Sequence, residues 1–364
     1  MESLQSRHAL RVNAQRTPPH PARSAQYDLF ATFFGNERDL SNTIELWDAL
    51  PKYSVTPRIQ SQMRDEKGRL PVYRRELEYR PSPRAENPVP FKYAITLQPA
   101  SIETEDGYRD FYPSADEELV EEVIKKIFSQ QRYGIHDVRN AESWVKFTLH
   151  MIRKELASRG KTRSIPEIKR SIEILSKTVI DLTIEGAGQR KTLYTNPILN
   201  DLTRVTIADR LEDPTAMWTA RLPALVSLSI NNLSYRQFNY GLLMSLSSQL
   251  ARWLLKRLSH EYTNASLMHP YKILFSTIER DSALLHHARV ASNINTVQRA
   301  LEELVANHAL LDFKVEKRRN GAAIADVLYT LTPHPDFVKQ VKAANARAND
   351  GRARLPVQPK LPRR

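Results

Sequence analysis

The chain has 364 residues, enough for two or three domains, and its 41% hydrophobic and 26% charged content excludes a mainly disordered protein. A net charge of +13, from 54 Lys and Arg against 41 Asp and Glu, predicts a polyanionic partner and favours nucleic acid over an anionic membrane. No Cys occurs, which excludes disulfides, thiolate zinc sites and cysteine nucleophiles. Because no apolar leader or membrane-length run is visible, we expect a cytoplasmic protein that does not contact membranes.

The two ends and the N-terminal quarter do not have the pattern of packed helices. Residues 1–26 are polar and basic, which predicts a flexible arm. Residues 27–112 contain "VYRRELEYR" and "FKYAITLQPA", whose alternation predicts strands in a region of unassigned function. Residues 339–364 hold eight Lys or Arg against Asp350 alone, which predicts a mobile basic tail, with DNA contact and simple solvation equally open.

Helical patterns begin at residue 113. "SADEELVEEVIKKIF" opens with a capping box, and its acids are expected on a solvated face because they oppose the helix dipole favourably. These acids are Asp116, Glu117, Glu118, Glu121 and Glu122. "AESWVKFTLHMIRKELASRG" predicts an amphipathic helix ended by Gly160, and "SIPEIKRSIEILSKT" predicts another with a capping box at Ser164 and Glu167. "VIDLTIE" and "KTLYTNPIL", joined through Gly186 and Gly188, predict a hairpin. This order predicts a winged-helix domain over residues 113–232.

The same order recurs over residues 233–338. "SYRQFNYGLLMSLSSQLARWLLKRLSHEY" is expected to form one long helix capped by Ser234 and Gln237, followed by the shorter helix "FSTIERDSALL". The next segment, "SNINTVQRALEELVANHALLDFKVEKRRNG", predicts a helix and then a hairpin that turns at Lys317 to Gly321. The expected fold class is therefore mainly α with short β-hairpins (α+β), containing two tandem winged-helix domains.

Candidate DNA-binding residues come from the second helix and the hairpin of each unit. In the second unit Ile294, Val297, Leu301 and Leu304 have the helical period of a buried face. The opposite face and the hairpin tip carry Asn and Gln, which pair with adenine, and Arg, which pairs with guanine. The candidates there are Asn293, Asn295, Thr296, Gln298, Arg299, Lys317, Arg318, Arg319 and Asn320. In the first unit they are Lys161, Arg163, Lys169, Arg170 and Ser171, expected to contact the DNA backbone. A polar surface helix with a solvated basic turn is the alternative.

Motifs for catalysis are incomplete. "ELASRGKT" has Glu155 where a phosphate-binding loop needs its first Gly, and a helix pattern precedes it. His260 and Glu261 begin a zinc-protease pattern that ends at Asn264 instead of His. The sequence therefore predicts no catalytic residue, no metal and no cofactor.

Six segments together resemble the replication initiator proteins of bacterial plasmids, over about residues 42–335. They are "SNTIELWDALPKY", "EKGRLPVYRRELEYR", "DGYRDFYPSADEELVEE", "RGKTRSIPEIKRSIEILSKTVI", "LSYRQFNYGLLMSLSSQLARWLLKRL" and "STIERDSALL". The resemblance implies two winged-helix domains that bind repeated origin sites (iterons), local opening of AT-rich duplex and recruitment of the host helicase and initiator. It also implies a homodimer that represses its own promoter. The region 27–112 is where this chain departs from the family pattern.

Three other functions remain open from the sequence. A winged-helix transcription regulator would use the same domains without opening DNA. A nucleic-acid enzyme such as a primase or nickase lacks its motifs here. A membrane-surface or scaffold protein would use the basic ends of the chain.

Overall fold

The computed structural model describes residues 24–79, 91–185, 191–205, 216–321 and 323–354. These residues form a mixed α and β protein, with more strands than the sequence predicts. The helices are α1 (Ala25–Ala31), α2 (Glu45–Ala49), α3 (Pro57–Met63), α4 (Ala115–Phe128), α5 (Leu149–Ser158), α6 (Ile165–Lys177), α7 (Ala224–Asn231), α8 (Tyr240–Ser245), α9 (Gln249–Glu261), α10 (Phe275–Ser282), α11 (Val290–Ala306) and α12 (Pro335–Arg354).

The strands form five antiparallel sheets among the described residues. They are β1 (Leu40–Ile44), β2 (Tyr73–Tyr79), β3 (Phe91–Gln98), β4 (Ala100–Thr104), β5 (Gly107–Phe111), β6 (Gly134–Asp137), β7 (Glu142–Phe147), β8 (Val179–Glu185), β9 (Lys191–Pro197), β10 (Asn200–Val205), β11 (Met217–Arg221), β12 (Tyr235–Asn239), β13 (Tyr271–Leu274), β14 (Leu310–Asn320) and β15 (Ala323–Pro333). Their spatial orders are β1-β12, β2-β3-β8-β9, β4-β5, β10-β11-β7-β6 and β13-β15-β14.

The predicted succession of two helices and a hairpin is confirmed twice. In the first unit α5, α6, β8 and β9 follow one another, and the capping box of Ser164 and Glu167 starts α6. In the second unit α10, α11, β14 and β15 do so, with β13 added to the sheet. Gly160 and Gly321 have φ of +71° and +63°, a backbone conformation that glycine adopts without steric cost. The predicted turn glycines 186 and 188 lie outside the described residues.

Two helix predictions are wrong in part. The start of "AESWVKFTLHMIRKELASRG" is strand β7, which pairs with β6 and β11, and Thr148 then caps α5. The expected long helix after Ser234 is divided into β12, α8 and α9. Because β12 pairs with β1 from the N-terminal region, the residues at the start of the expected helix are extended. The Gln237 side chain accepts from and donates to the backbone of Phe34 instead of capping a helix. Pairing with a distant strand overrides the local helical pattern.

Strands of the N-terminal region (residues 27–112) pair with strands of both predicted winged-helix domains. Strand β3 pairs with β8 over Tyr93 to Gln98, so β2 and β3 extend the hairpin of the first helical unit. Strand β1 pairs with β12 in the same way. The predicted domain boundaries at residues 112 and 232 stay predictions. At each of them, strands from the two sides of the boundary are hydrogen-bonded to each other. Residues 1–23 of the expected arm lie outside the described residues, and Ser24 caps α1.

The prediction of a mobile C-terminal tail is wrong for residues 339–354, which belong to α12. Phe337, Val341 and Ala344 recur at helical spacing and are buried. The guanidinium of Arg347 donates to Asn42 Oδ1 at 2.6 Å and to the carbonyl oxygens of α1 residues Leu29 and Phe30 at 2.6 Å each. Burial lowers the pKa of Arg347 to about 10. The predicted tail therefore begins as a docked helix, and its three prolines lie beyond it, outside the described residues.

Four of the five acids of α4 are buried, which corrects the expectation of a solvated face, whereas Asp116 is exposed as expected. The buried acids of α4 meet cations from the loop after α2, from α4 itself and from α9. We call these residues the charged core: Asp48, Lys52, Glu118, Glu121, Glu122, Lys125, Arg252 and Lys256, all of them buried. Lys256 Nζ lies 2.6 Å from Glu122 Oε1, and Arg252 Nη2 lies 2.8 Å from Glu118 Oε2. Four carboxylates and four cations balance, as buried charges require.

The cations of the charged core favour the ionised form of two of its carboxylates, Asp48 and Glu121. Burial alone would raise the pKa of Asp48, but the charges of Lys125, Lys256 and Lys52 lower it well below its usual range. Lys52 and Lys125 lower the pKa of Glu121 in the same way, and Trp47 Nε1 and Tyr53 OH donate to its two oxygens at 2.6 and 2.7 Å. Because these contacts join α2, α4 and α9, they connect the N-terminal region to both helical units.

Candidate nucleic-acid interface

Helix α11 of the second unit is positioned by its apolar face. The predicted inward residues Ile294, Val297, Leu301 and Leu304 are all buried, as the helical period requires. Glu303 of α11 also accepts hydrogen bonds from the backbone N–H groups of Ser247 and Ser248, at 2.5 and 3.0 Å. These contacts fix α11 against the start of α9, so its opposite face is presented to solvent in a defined orientation.

Four of the candidates on α11 lie on or beside that free face. Asn295 and Arg299 are exposed and one helical turn apart, and Thr296 and Gln298 are half-buried. The Thr296 hydroxyl donates to the Ser292 carbonyl at 3.0 Å. Within the described part of the chain, the Arg299 guanidinium has no carboxylate partner. Asn295 and Arg299 therefore have their polar groups available for an external ligand.

Asn293 does not lie on the free face, which corrects its predicted placement. Its side chain is 3% exposed. Its Oδ1 accepts from the His287 N–H at 2.9 Å, and its Nδ2 donates to the His287 carbonyl at 3.0 Å. Both ends of the amide are thus used to hold the loop that enters α11. A cation that the sequence analysis overlooked is next to this loop, since the exposed Arg289 is the N-cap residue of α11.

The hairpin of β14 and β15 projects its basic end into solvent. Lys317, Arg318, Arg319 and Asn320, which we call the basic tip, are all exposed at the end of β14. Arg318 stands opposite Asp326 on β15. Burial would raise the pKa of Asp326, but hydrogen bonds from Ser276 and Val327 and the charge of Arg318 lower it below its ordinary value. The basic tip therefore retains excess positive charge, and the sequence correctly predicted its exposure.

Three candidates of the first unit already have partners inside the chain. Ser171, predicted as a contact of the DNA backbone, is instead buried, and its hydroxyl donates to Glu117 Oε1 of α4 at 2.8 Å. Lys161 is half-buried and donates to the Leu246 carbonyl at 3.1 Å, and burial lowers its pKa. Arg163 bonds to Asp116 Oδ1 through Nε at 3.2 Å and also through Nη2.

The other two candidates of the first unit lie towards the outside of α6. Lys169 is half-buried and Arg170 is exposed. The Arg170 guanidinium lies over the ring of Phe111 from β5, with 4.3 Å between its Cζ and the ring centroid. The first unit therefore presents fewer of its predicted contacts than the second. The helical period alone did not distinguish Ser171 from Arg170, because the partner of Ser171 is on α4.

Two further site types are absent from the described ranges. No group of three or more His, Cys, Asp or Glu there is arranged to hold a metal ion. No described helix is both long enough and apolar enough to cross a bilayer.

Comparison with known proteins finds no matching family model and no matching curated sequence. Solved structures do match. A selenomethionine crystal structure of domains 2 and 3 of RctB shares 11% identity with this chain at a TM-score of 0.42, covering 78% of this chain and 99% of that one. The Pi initiator protein in complex with iteron DNA shares 11% identity at a TM-score of 0.42, covering 61% of this chain and 91% of that one. An initiator protein is thus among the structures that this chain is similar to.

Proposed function

We propose that this protein binds double-stranded DNA through two winged-helix domains, at residues 113–232 and 233–338, and acts as a replication initiator. The observation that carries the proposal is the second unit: α11 presents Asn295 and Arg299, and the adjacent hairpin ends in the exposed basic tip. In a winged helix, the recognition helix enters the major groove and the hairpin contacts the backbone. Asn295 and Arg299 would contact bases, and the basic tip would contact phosphates.

The first unit would supply a second contact on the same DNA. Its helix α6 follows α5 as α11 follows α10, and it carries Arg170 on its exposed side. The charged core joins α4 of the first unit to α9 of the second. A fixed connection between two weak sites raises overall affinity, because the second contact forms without a further loss of translational freedom. We infer that the two units bind at a set spacing along the duplex.

The initiator role rests on the resemblance between the sequence and plasmid initiators. We propose that several copies bind repeated sites at an origin, bend or untwist the duplex and open its AT-rich part, where deformation costs least. Recruitment of the host helicase and initiator would follow. A homodimer would repress the gene's own promoter, and the protein would act in the cytoplasm without catalysing a reaction.

Footprinting with the full-length protein on DNA flanking its gene tests this proposal. The expected result is protection that recurs over several direct repeats, with contacts on one face separated by about one helical turn. Protection of a single inverted repeat would favour a transcription regulator instead. Absence of salt-dependent duplex binding would remove the DNA-binding function altogether.

A further inference from the structure

Three arginines converge on one aromatic ring at the edge of the first unit. The ring is Phe111 at the end of β5. The Cζ atoms of Arg170, Arg64 and Arg109 lie 4.3, 5.2 and 5.9 Å from its centroid. We call these three residues the arginine cluster. They come from α6, from the residue after α3 and from β5, so the N-terminal region contributes two of them.

Within the described ranges, no carboxylate forms an ion pair with a member of the arginine cluster, although Asp110 and Asp65 are close enough to Arg64 for their charges to act on it. Arg64 donates to the backbone carbonyls of Gly68 and Asp110, at 2.7 and 2.6 Å. The Asp110 carboxylate instead pairs with Arg69 at 3.1 Å and accepts from the Leu70 N–H at 3.1 Å. Partial burial and repulsion from Arg109 and Arg170 lower the pKa of Arg64 by more than the charges of Asp110 and Asp65 raise it. Three like charges are thus held together, in contrast to the balanced charged core.

The cluster is open to an external ligand. Arg109 and Arg170 are exposed, and the neighbouring Tyr108 is 58% exposed. A guanidinium offers parallel N–H donors that match two oxygens of a phosphate, and a stacked guanidinium is held in position before binding. Stacking on Phe111 alone would account for one arginine on a ring face, but it does not account for three mutually repelling ones. A bound anion would offset that repulsion.

We propose that Arg64, Arg109 and Arg170 form a phosphate-binding site that takes a backbone phosphate of the DNA bound by α6. The DNA assignment rests on the proposed function, whereas the anion site itself does not. The site gives part of the N-terminal region a role in DNA binding. It also extends the contact surface of the first unit from α6 onto β5. These added contacts would replace those predicted for Lys161, Arg163 and Ser171, which already have partners within the chain.

The first measurement is the salt dependence of binding to a random-sequence duplex. The variant combines Arg109→Gln and Arg170→Gln in the full chain. The matched control combines Arg132→Gln and Arg139→Gln, which are exposed near β6, where Arg132 also lies 5.6 Å from a ring, that of Tyr133. The slope of log K against log salt should flatten by about 0.9 for each phosphate that the variant no longer binds, and it should stay unchanged in the control. An unchanged slope in the variant overturns the DNA assignment.

The second measurement needs no DNA. Inorganic pyrophosphate should raise the Tm of the wild type and of the control above that in sodium chloride of equal ionic strength, because it binds only the folded chain. The Arg109→Gln, Arg170→Gln variant should lose this increase. An equal increase in all three proteins overturns the anion site. If the double variant does not fold, Arg109→Gln alone is used, since it removes one exposed charge from β5.

The two measurements separate the two proposals. If the variant loses the pyrophosphate effect but neither it nor the wild type binds duplex DNA, the anion site is supported and the proposed function is rejected. Duplex binding that is sensitive to the basic tip but insensitive to the arginine cluster would support the proposed function and reject the assignment of the anion site to a DNA phosphate. A lower Tm of the variant without anions, together with an unchanged salt slope and an unchanged pyrophosphate effect, would assign the three arginines to packing alone.

Discussion

Two charge-rich regions of this chain have opposite environments. Helix α4 buries Glu118, Glu121 and Glu122 in the charged core, where each charge has a counter-charge within a few ångströms. The basic tip of β14 is exposed and only partly compensated, by Asp326. Both regions are rich in charge in the sequence. What differs is whether an element distant in the chain brings the opposite charge. Lys256 reaches Glu122 across 134 residues, and no comparable partner arrives at the tip among the described residues.

The comparison predicts that the two regions respond very differently to loss of one charge. Lys256→Met should lower the free energy of unfolding by about 3–5 kcal/mol, because it leaves buried carboxylates of Asp48 and Glu122 without one of their cations. Lys317→Met at the basic tip is the matched control and should change it by less than about 0.5 kcal/mol. Denaturant unfolding of both variants measures this. Equal small effects would mean that the charged core does not stabilise the fold.

Acid should reduce the stability that the charged core gives to the fold, and this effect should be the second largest. The pKa values of Asp48 and Glu121 are lowered in the folded chain from ordinary values of 3.8 and 4.5. At acid pH the unfolded chain therefore binds more protons than the folded chain. The stabilisation that these two carboxylates contribute is fully present above their ordinary pKa values and is lost as pH falls through their lowered pKa values. Urea unfolding between about pH 5 and pH 3 should show this loss.

The variant Asp48→Asn tests the source of that acid sensitivity. It should be less stable than the wild type at neutral pH but lose less further stability on acidification, because one of the shifted groups is gone. Lys317→Met should retain the full wild-type dependence. If Asp48→Asn keeps the same dependence as the wild type, the sensitivity comes from groups outside the charged core.

The exposed face of α11 should affect sequence discrimination instead of stability. Arg299→Ala and Asn295→Ala should each reduce the preference for a footprinted site over random duplex, by about 1–3 kcal/mol for a bidentate base contact. Competition binding measures the preference. Glu302→Gln, an exposed change on the same helix, should leave that preference unchanged. Equal weakening on both DNAs by the Arg299 and Asn295 variants would show that they contact phosphates only.

The smallest effect on stability is expected for the basic tip as a whole. Replacing Lys317, Arg318 and Arg319 by Ala should change the Tm little, because these side chains are exposed. The slope of log K against log salt should flatten by about 0.9 for each phosphate that these side chains bind in the wild type. Salt titrations of duplex binding measure that slope. An unchanged slope would remove the hairpin from the interface.

Local sequence determined a large part of the second unit. The 3.6-residue period of Ile294, Val297, Leu301 and Leu304 was sufficient to orient α11, because these contacts depend on helix geometry alone. The capping box at Ser164 and the turn at Gly321 are likewise local devices, formed by residues a few positions apart. The exposure of Arg299 and of the basic tip followed from the same short-range patterns.

Only the tertiary structure decided which polar residues are used inside the chain. Ser171 and Asn293 are polar residues of the kind common on surfaces, but they are buried and hydrogen-bonded to Glu117 and to the backbone of His287. Strand β1 converts the start of an expected long helix into β12, and α12 docks where a mobile tail was expected. The physical reason is the same in each case: the partner is remote in sequence, so the period and composition of one segment hold no information about it. The charge and the helix order are properties of the sequence, whereas the division between buried and available charge is a property of the fold.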